Sequence, residues 1–129
     1  MSGILLADDV EANRFLLEEA LADMGVAIHS ASNGEEAIVL WRTYRPEVAL
    51  VDLQMPGVDG IAVTRRMKED PAAPFTYVMI VSGFDKADQA NAVRESGADR
   101  FIAKPYGIAD LRKAAEEGLR IARERRRVP

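Results

Sequence analysis

Five polar residues fall at or just past the ends of short apolar runs in this 129-residue chain: Asp8, Asp9, Asp52, Ser82 and Lys104. If the runs are strands of one parallel sheet, their carboxyl ends share an edge, and that edge is where open α/β sheets bind ligands. Three carboxylates meeting there repel. At ~4 Å and an effective dielectric of 20, each close pair costs about 4 kcal/mol. Such a set requires a cation, a raised pKa, or both. Lys104 brings one positive charge, and a hard divalent ion brings two more. Mg²⁺ fits, because it commonly takes one or two carboxylates, several waters and a phosphate oxygen. The arrangement suits phosphoryl transfer: a carboxylate acts as nucleophile and becomes an aspartyl-phosphate. The metal and the lysine offset charge on the equatorial oxygens, and a serine hydroxyl donates a hydrogen bond to the same group. Taken singly, each residue has a plainer reading. An aspartate after a strand is often the cap of the next helix, and a lone Ser or Lys there says almost nothing. The specificity lies in four strand ends meeting at one rim.

The elements that must do this positioning alternate along the chain. Apolar runs cover 3–7, 26–31, 48–51, 77–81 and 100–103, and three are nearly continuous in Ile, Leu and Val. Continuous apolar strands are buried on both faces, as in a parallel sheet covered by helices. Between them, 11–24 places Phe15, Leu16, Ala20, Leu21 and Met24 at helical spacing. Asn33-Gly34-Glu35-Glu36 opens a second helix with Ala37, Ile38, Leu40 and Trp41. Asp59 caps a third carrying Ile61, Val63, Thr64 and Met67. Asp85 caps a fourth with Ala87, Ala90 and Val93, ended by Ser96-Gly97. The last helix begins near Gly107 and shows Ile108, Leu111, Ala115, Leu119 and Ala122. This βα alternation predicts a doubly wound five-stranded parallel sheet with right-handed crossovers and helices on both faces. Asp70-Pro71-Ala72-Ala73-Pro74 is a loop.

The chain resembles the receiver domain of response regulators in two-component signalling, the single-domain chemotaxis regulators included, from residue 3 to about 121. The resemblance rests on Asp8-Asp9, on Val51-Asp52-Leu53-Gln54-Met55-Pro56-Gly57-Val58-Asp59-Gly60, on Ser82-Gly83 and on Lys104-Pro105. It implies a flavodoxin-like sheet of order 2-1-3-4-5. It implies Asp52 as phosphoacceptor, taking its phosphoryl group from a histidine kinase or histidine phosphotransfer protein. Asp9 would bind Mg²⁺ directly and Asp8 mainly through water, with Asp52 and the carbonyl of Gln54 completing the protein ligands. Ser82 and Lys104 would contact the phosphoryl group, across a cis Lys104–Pro105 peptide. Ser82 and Phe101 would form the switch, read out on a face of the fourth helix, fifth strand and fifth helix by a downstream output domain or protein. Ser82 stands where Thr is more frequent, and Gly83 where Ala is usual, which leaves that loop freer. Gln54 and Phe84 occupy positions that tune hydrolysis of the phosphoryl group.

Two other readings compete. An aspartyl-phosphate-forming phosphatase or phosphotransferase usually carries a second acid two residues after its nucleophile, and Gln54 stands there instead. A degenerate receiver acting only through binding would not need Asp8, Asp9, Asp52, Ser82 and Lys104 all present. The expected activity is therefore self-phosphorylation with at most slow autodephosphorylation, not turnover as an enzyme.

The rest of the composition narrows the setting. No cysteine is present, which excludes disulfide and thiolate chemistry. No run approaches the ~18 apolar residues of a membrane span, and the N-terminus lacks a signal-peptide pattern, so a cytoplasmic, membrane-independent protein is expected. The net charge of −4 hides an asymmetry, since residues 112–127 carry seven basic and three acidic side chains. We read that stretch as a solvated helix end suited to the helix dipole, with no direct nucleic-acid role for the domain. The receiver unit is expected over 1–121, with 122–129 a basic tail or the start of a linker helix, and a homodimer as one possible state. His29, the only histidine, falls in the second strand away from the acidic rim and receives no phosphotransfer role. Trp41, Tyr44 and Tyr106 read as packing residues.

Overall fold

The computed structural model describes residues 3–83 and 87–127. The elements run β1 (Gly3–Ala7), α1 (Glu11–Leu21), β2 (Ala27–Ala31), α2 (Gly34–Tyr44), β3 (Val48–Asp52), α3 (Gly60–Glu69), β4 (Tyr77–Ser82), α4 (Ala87–Glu95), β5 (Arg100–Ala103) and α5 (Ile108–Arg127). All strand pairs are parallel, in the order β2-β1-β3-β4-β5. The doubly wound 2-1-3-4-5 sheet expected from the sequence is therefore present. β3 and β4 each run one residue further than their apolar runs, taking in Asp52 and Ser82. The anticipated cap Asp85 and the tuning residue Phe84 lie outside the described residues.

Alternation along the strands sorts the core into two layers. Ile4 and Leu6, with Val48, Leu50, Tyr77, Met79 and Val81, pack under Leu17 and Leu21 of α1 and Leu111, Ala115, Leu119 and Ala122 of α5. Leu5, Ala7, Ala49, Val51 and Val78 face Ala37, Ile38 and Trp41 of α2 and Val63 and Met67 of α3. The three central strands are buried along their whole length, as a sheet covered on both faces requires.

Helix starts follow the expected caps. Asn33 Oδ1 accepts from Glu36 N–H at 2.8 Å, and Asp59 Oδ1 from Ala62 N–H at 2.9 Å. Gly97 takes φ +90° after α4, the left-handed conformation that glycine adopts freely.

Helix α1 departs from its expected form. It stops at Leu21 instead of continuing to Met24, and its buried residues are Leu17 and Leu21. Phe15 and Leu16 are 58 % and 60 % exposed. The helix offers two overlapping apolar stripes, and only the i, i+4 pair Leu17/Leu21 can face the sheet while the start of the helix stays at the acidic rim.

At the other end of the chain, α5 continues unbroken through Arg127. Ala122 is fully buried, and Arg123 and Arg126 beyond it are hydrogen-bonded to the body of the domain.

Candidate functional site

Each candidate side chain reaches the rim because a strand ends beneath it, buried in β1, β3 and β4 and largely exposed in the edge strand β5. β1 delivers Asp8 and Asp9, β3 delivers Asp52, β4 delivers Ser82, and β5 leads into Lys104. Neighbouring strands fix the register: Asp52 sits beside Val81, Ser82 beside Ala103, and Lys104 N–H donates to the Ser82 carbonyl at 2.8 Å. The rim therefore brings together all five residues picked out by spacing.

Carboxylate oxygens of Asp8, Asp9 and Asp52 lie within 4.8 Å of one another. Lys104 Nζ donates to Asp52 Oδ2 at 3.2 Å, and Gln54 N–H to Asp52 Oδ1 at 3.2 Å. Asp52 and Asp8 are buried, whereas Asp9 is exposed. Burial of the Asp8 carboxyl holds its pKa above the usual value, and the neighbouring charge of Asp52 pushes the same way; the N–H of Val10 and the charge of Lys104 oppose it. The 104–105 peptide is cis.

Asp9, Asp52, Ser82 and Lys104, but not the buried Asp8, line one side of an open cleft of about 640 Å³, shared with Val10, Asn13, Gln54, Met55, Pro56, Asp59 and Gly83. Asp59 borders the cleft but is occupied as the cap of α3. Beneath the cleft, Gly60 backs so closely onto the Asp52 carbonyl that a Cβ there would collide with it. That close approach lets α3 start directly against the β3 end and clamps Asp52 from below.

The donor set fits a hard divalent cation. With all three carboxylates ionised, one lysine leaves the group negative, and every nearby ligand atom is oxygen. Asp9 opens to the cleft, while both Asp8 oxygens already accept hydrogen bonds from Val10 N–H and Asn13 Nδ2.

Of the remaining expected residues, Ser82 is buried at the strand end and Phe101 is exposed on β5. Tyr106 packs against the α5-side core, and burial raises its pKa. His29 stacks on Tyr44, with ring centroids 4.0 Å apart, in the edge strand β2. Spacing alone had not brought out Asn13 and Arg14, which grip Asp8 from the first turn of α1. The signal available was their position, four and five residues after the acidic pair, where a helix of that phase turns back over the strand end.

An acidic, lysine-bearing rim on a 2-1-3-4-5 sheet defines a class of signalling α/β domains, and comparison with known proteins identifies which. The model of the response regulator receiver domain matches residues 4–116, and the chain belongs to that family. The response regulator PleD of Caulobacter vibrioides is 35 % identical over 102 residues, 79 % of this chain and 22 % of PleD. The virulence sensor protein BvgS of Bordetella pertussis is 33 % identical over 121 residues, but only 10 % of it is covered. Sporulation initiation phosphotransferase F of Bacillus subtilis is 33 % identical over 116 residues, covering 90 % of this chain and 92 % of that protein. The chain thus spans under a quarter of the first two relatives. Among solved structures, the receiver domain of a signal transduction histidine kinase from Syntrophus aciditrophicus superposes with a TM-score of 0.85 at 27 % identity, over 93 % of this chain and 91 % of that one. Among the described residues, no helix is long and apolar enough to cross a membrane.

Proposed function

We propose that this receiver domain is a phosphorylation switch whose acceptor is Asp52. An Asp52 carboxylate oxygen attacks the phosphorus of a phosphohistidine on a kinase or phosphotransfer protein. The P–N bond breaks, the imidazole keeps the electron pair and takes up a proton, and Asp52 becomes an acyl phosphate. Asp9, Asp52 and the Gln54 carbonyl would hold Mg²⁺, with Asp8 mainly through water. When bound, the ion would neutralise charge on the transferring group. Lys104 loses its partner as the Asp52 carboxylate is esterified and turns to the phosphoryl oxygens. Ser82 donates its hydroxyl to the same group, and its shift couples to the rotamer of exposed Phe101. The face of α4, β5 and α5 then changes for an output domain or protein. Val10, exposed at the edge of the cleft, offers the donor an apolar contact. The domain would act in the cytoplasm, as a self-modifying module and not as an enzyme.

The observation that carries this reading is the convergence of three carboxylates on a single lysine in an open cleft. Incubation with a small phosphodonor and Mg²⁺ tests it. The switch reading expects one alkali-labile phosphate per chain, absent in Asp52→Ala. Multiple turnover on a small substrate would point to a phosphotransferase, and no labelling of the wild-type chain would leave only a binding module.

A further inference from the structure

Asp8 is held far more tightly than its neighbour Asp9. Its N–H donates to the Ala31 carbonyl at 3.1 Å, and its own carbonyl accepts from Arg14 Nη1 at 2.7 Å. One carboxylate oxygen accepts from Val10 N–H at 2.8 Å, the other from Asn13 Nδ2 at 3.3 Å. Two of these grips come from consecutive residues at the start of α1. That helix has Val10 at its N-cap and no side-chain cap. Asn13 stands at the third helical position, from which a polar side chain commonly turns back to the cap. Here it turns to Asp8 instead and lines the same cleft as Asp9, Asp52 and Lys104.

We propose that Asn13 is a positioning residue for the divalent-cation site, fixing the rotation of the Asp8 carboxylate. This rests on the reading of the cleft as a Mg²⁺ site. Without the amide, the Asp8 carboxylate keeps only the Val10 hydrogen bond, and repulsion from Asp52 is free to rotate it. Partners of this outer kind commonly set metal affinity by roughly 10- to 100-fold. The contact at 3.3 Å is long and Val10 remains, so the low end applies. Asn13 touches no reacting atom in this account, so the phosphoryl step itself is untouched once the ion is bound.

Mg²⁺ titration by calorimetry on the whole chain tests the idea, with Asn13→Leu, Asn13→Ala and Asn13→Gln beside the wild type. Asn13→Leu and Asn13→Ala should bind Mg²⁺ about 10-fold more weakly. Asn13→Gln, which keeps the amide donor, should fall between them and the wild type. Melting temperatures without metal should stay within about 2 °C, which separates positioning from a general loss of structure. Labelling by a small phosphodonor should need about 10-fold more Mg²⁺ for half its maximal rate and reach the wild-type rate at saturation. Unchanged Mg²⁺ affinity in Asn13→Leu and Asn13→Ala overturns the role of Asn13. So does a labelling rate that stays low at saturating Mg²⁺. A wild-type chain that takes up no Mg²⁺ overturns the underlying reading of the cleft as well.

Discussion

At the carboxyl ends of the strands, three carboxylates converge on one lysine; at the opposite ends, basic side chains reach carboxylates and backbone carbonyls. There, Arg123 Nε donates to Glu47 Oε2 at 3.0 Å. Arg126 donates to the carbonyls of Phe75, Arg45 and Pro46 at 2.8–3.0 Å. Lys68 Nζ binds Asp99 and the Thr76 carbonyl, both at 2.6 Å, and Asp99 in turn accepts from Val78 N–H. The Phe75 ring lies under the Lys68 ammonium and the Arg125 guanidinium. Both rims end the same strands, so the hydrophobic layers beneath them are shared. What differs is the use of charge. A cation that satisfies buried carbonyls ties loops and α5 to the sheet, whereas carboxylates left short of cations raise the energy of the resting domain and make it receptive to an incoming one. Bonds that tie the fold together and carboxylates left open to a cation therefore sit at opposite ends of one sheet.

The largest effect that could break this contrast lies at the amino-end rim. Arg126→Met keeps much of the side-chain stem and removes the guanidinium, leaving three carbonyls to find new donors. Burial lowers the Arg126 pKa, so part of the gain from these bonds is already offset by desolvation. The net loss should still be about 3 kcal/mol in urea unfolding, with Mg²⁺ affinity unchanged. A loss under about 0.5 kcal/mol, the size of an ordinary surface change, would mean that this rim is no more a stability device than any other surface.

The next effect has the opposite sign. Without divalent ions at pH 7, Asp8→Asn should stabilise the domain by about 1 kcal/mol, from removal of a buried charge and, secondarily, of its repulsion by Asp52. With saturating Mg²⁺ the order should reverse, because the wild type gains from binding what the variant does not. The pH dependence follows from the raised Asp8 pKa. In the folded state Asp8 holds its proton to higher pH than in the unfolded chain. Its ionisation therefore costs stability in full above the folded pKa, and nothing below the unfolded value of 3.8. The advantage of Asp8→Asn in chelator should accordingly shrink as pH falls from 7 toward 3.8. Equal stability of the two proteins at pH 7 in chelator would show that the acidic rim is not strained.

The sequence carried the sheet and the acidic rim further than it carried the opposite rim. Strand ends at Asp9, Asp52, Ser82 and Lys104 are visible because apolar runs stop abruptly at polar residues, and a parallel sheet has only one edge at which such ends meet. Helical spacing marks Phe15 and Leu16 as part of an apolar stripe without fixing which of two overlapping stripes faces the sheet, and both are exposed. The basic residues of α5 read as a solvated end because charge spacing does not reveal that the Phe75, Arg45 and Pro46 carbonyls lie within reach of Arg126. Asn13 was hidden for the same reason: its partner Asp8 is five residues away in sequence, but the contact depends on the angle at which α1 leaves β1.

The smallest effects compare one substitution at both rims. Gly118 of α5 lies against Tyr77, the first residue of β4, and a Cβ there would stand 2.6 Å from the Tyr77 ring. Tyr77 is buried in the core layer. Gly118→Ala gains helix propensity of about 1 kcal/mol but must overpack the ring at roughly 1–3 kcal/mol, so a net loss of about 1 kcal/mol is expected. Gly83, after Ser82 at the site rim, is exposed, and a Cβ there would meet the Lys104 stem at 3.6 Å, an ordinary contact. Gly83→Ala restricts the unfolded chain at little cost in the folded one, for a gain of about 0.5 kcal/mol. Opposite signs in parallel urea titrations would show tight packing at the amino-end rim and slack chain at the cleft. A loss at Gly83 as large as at Gly118 would show that the cleft is already packed to its limit, leaving Ser82 and Lys104 no room to close on a phosphoryl group.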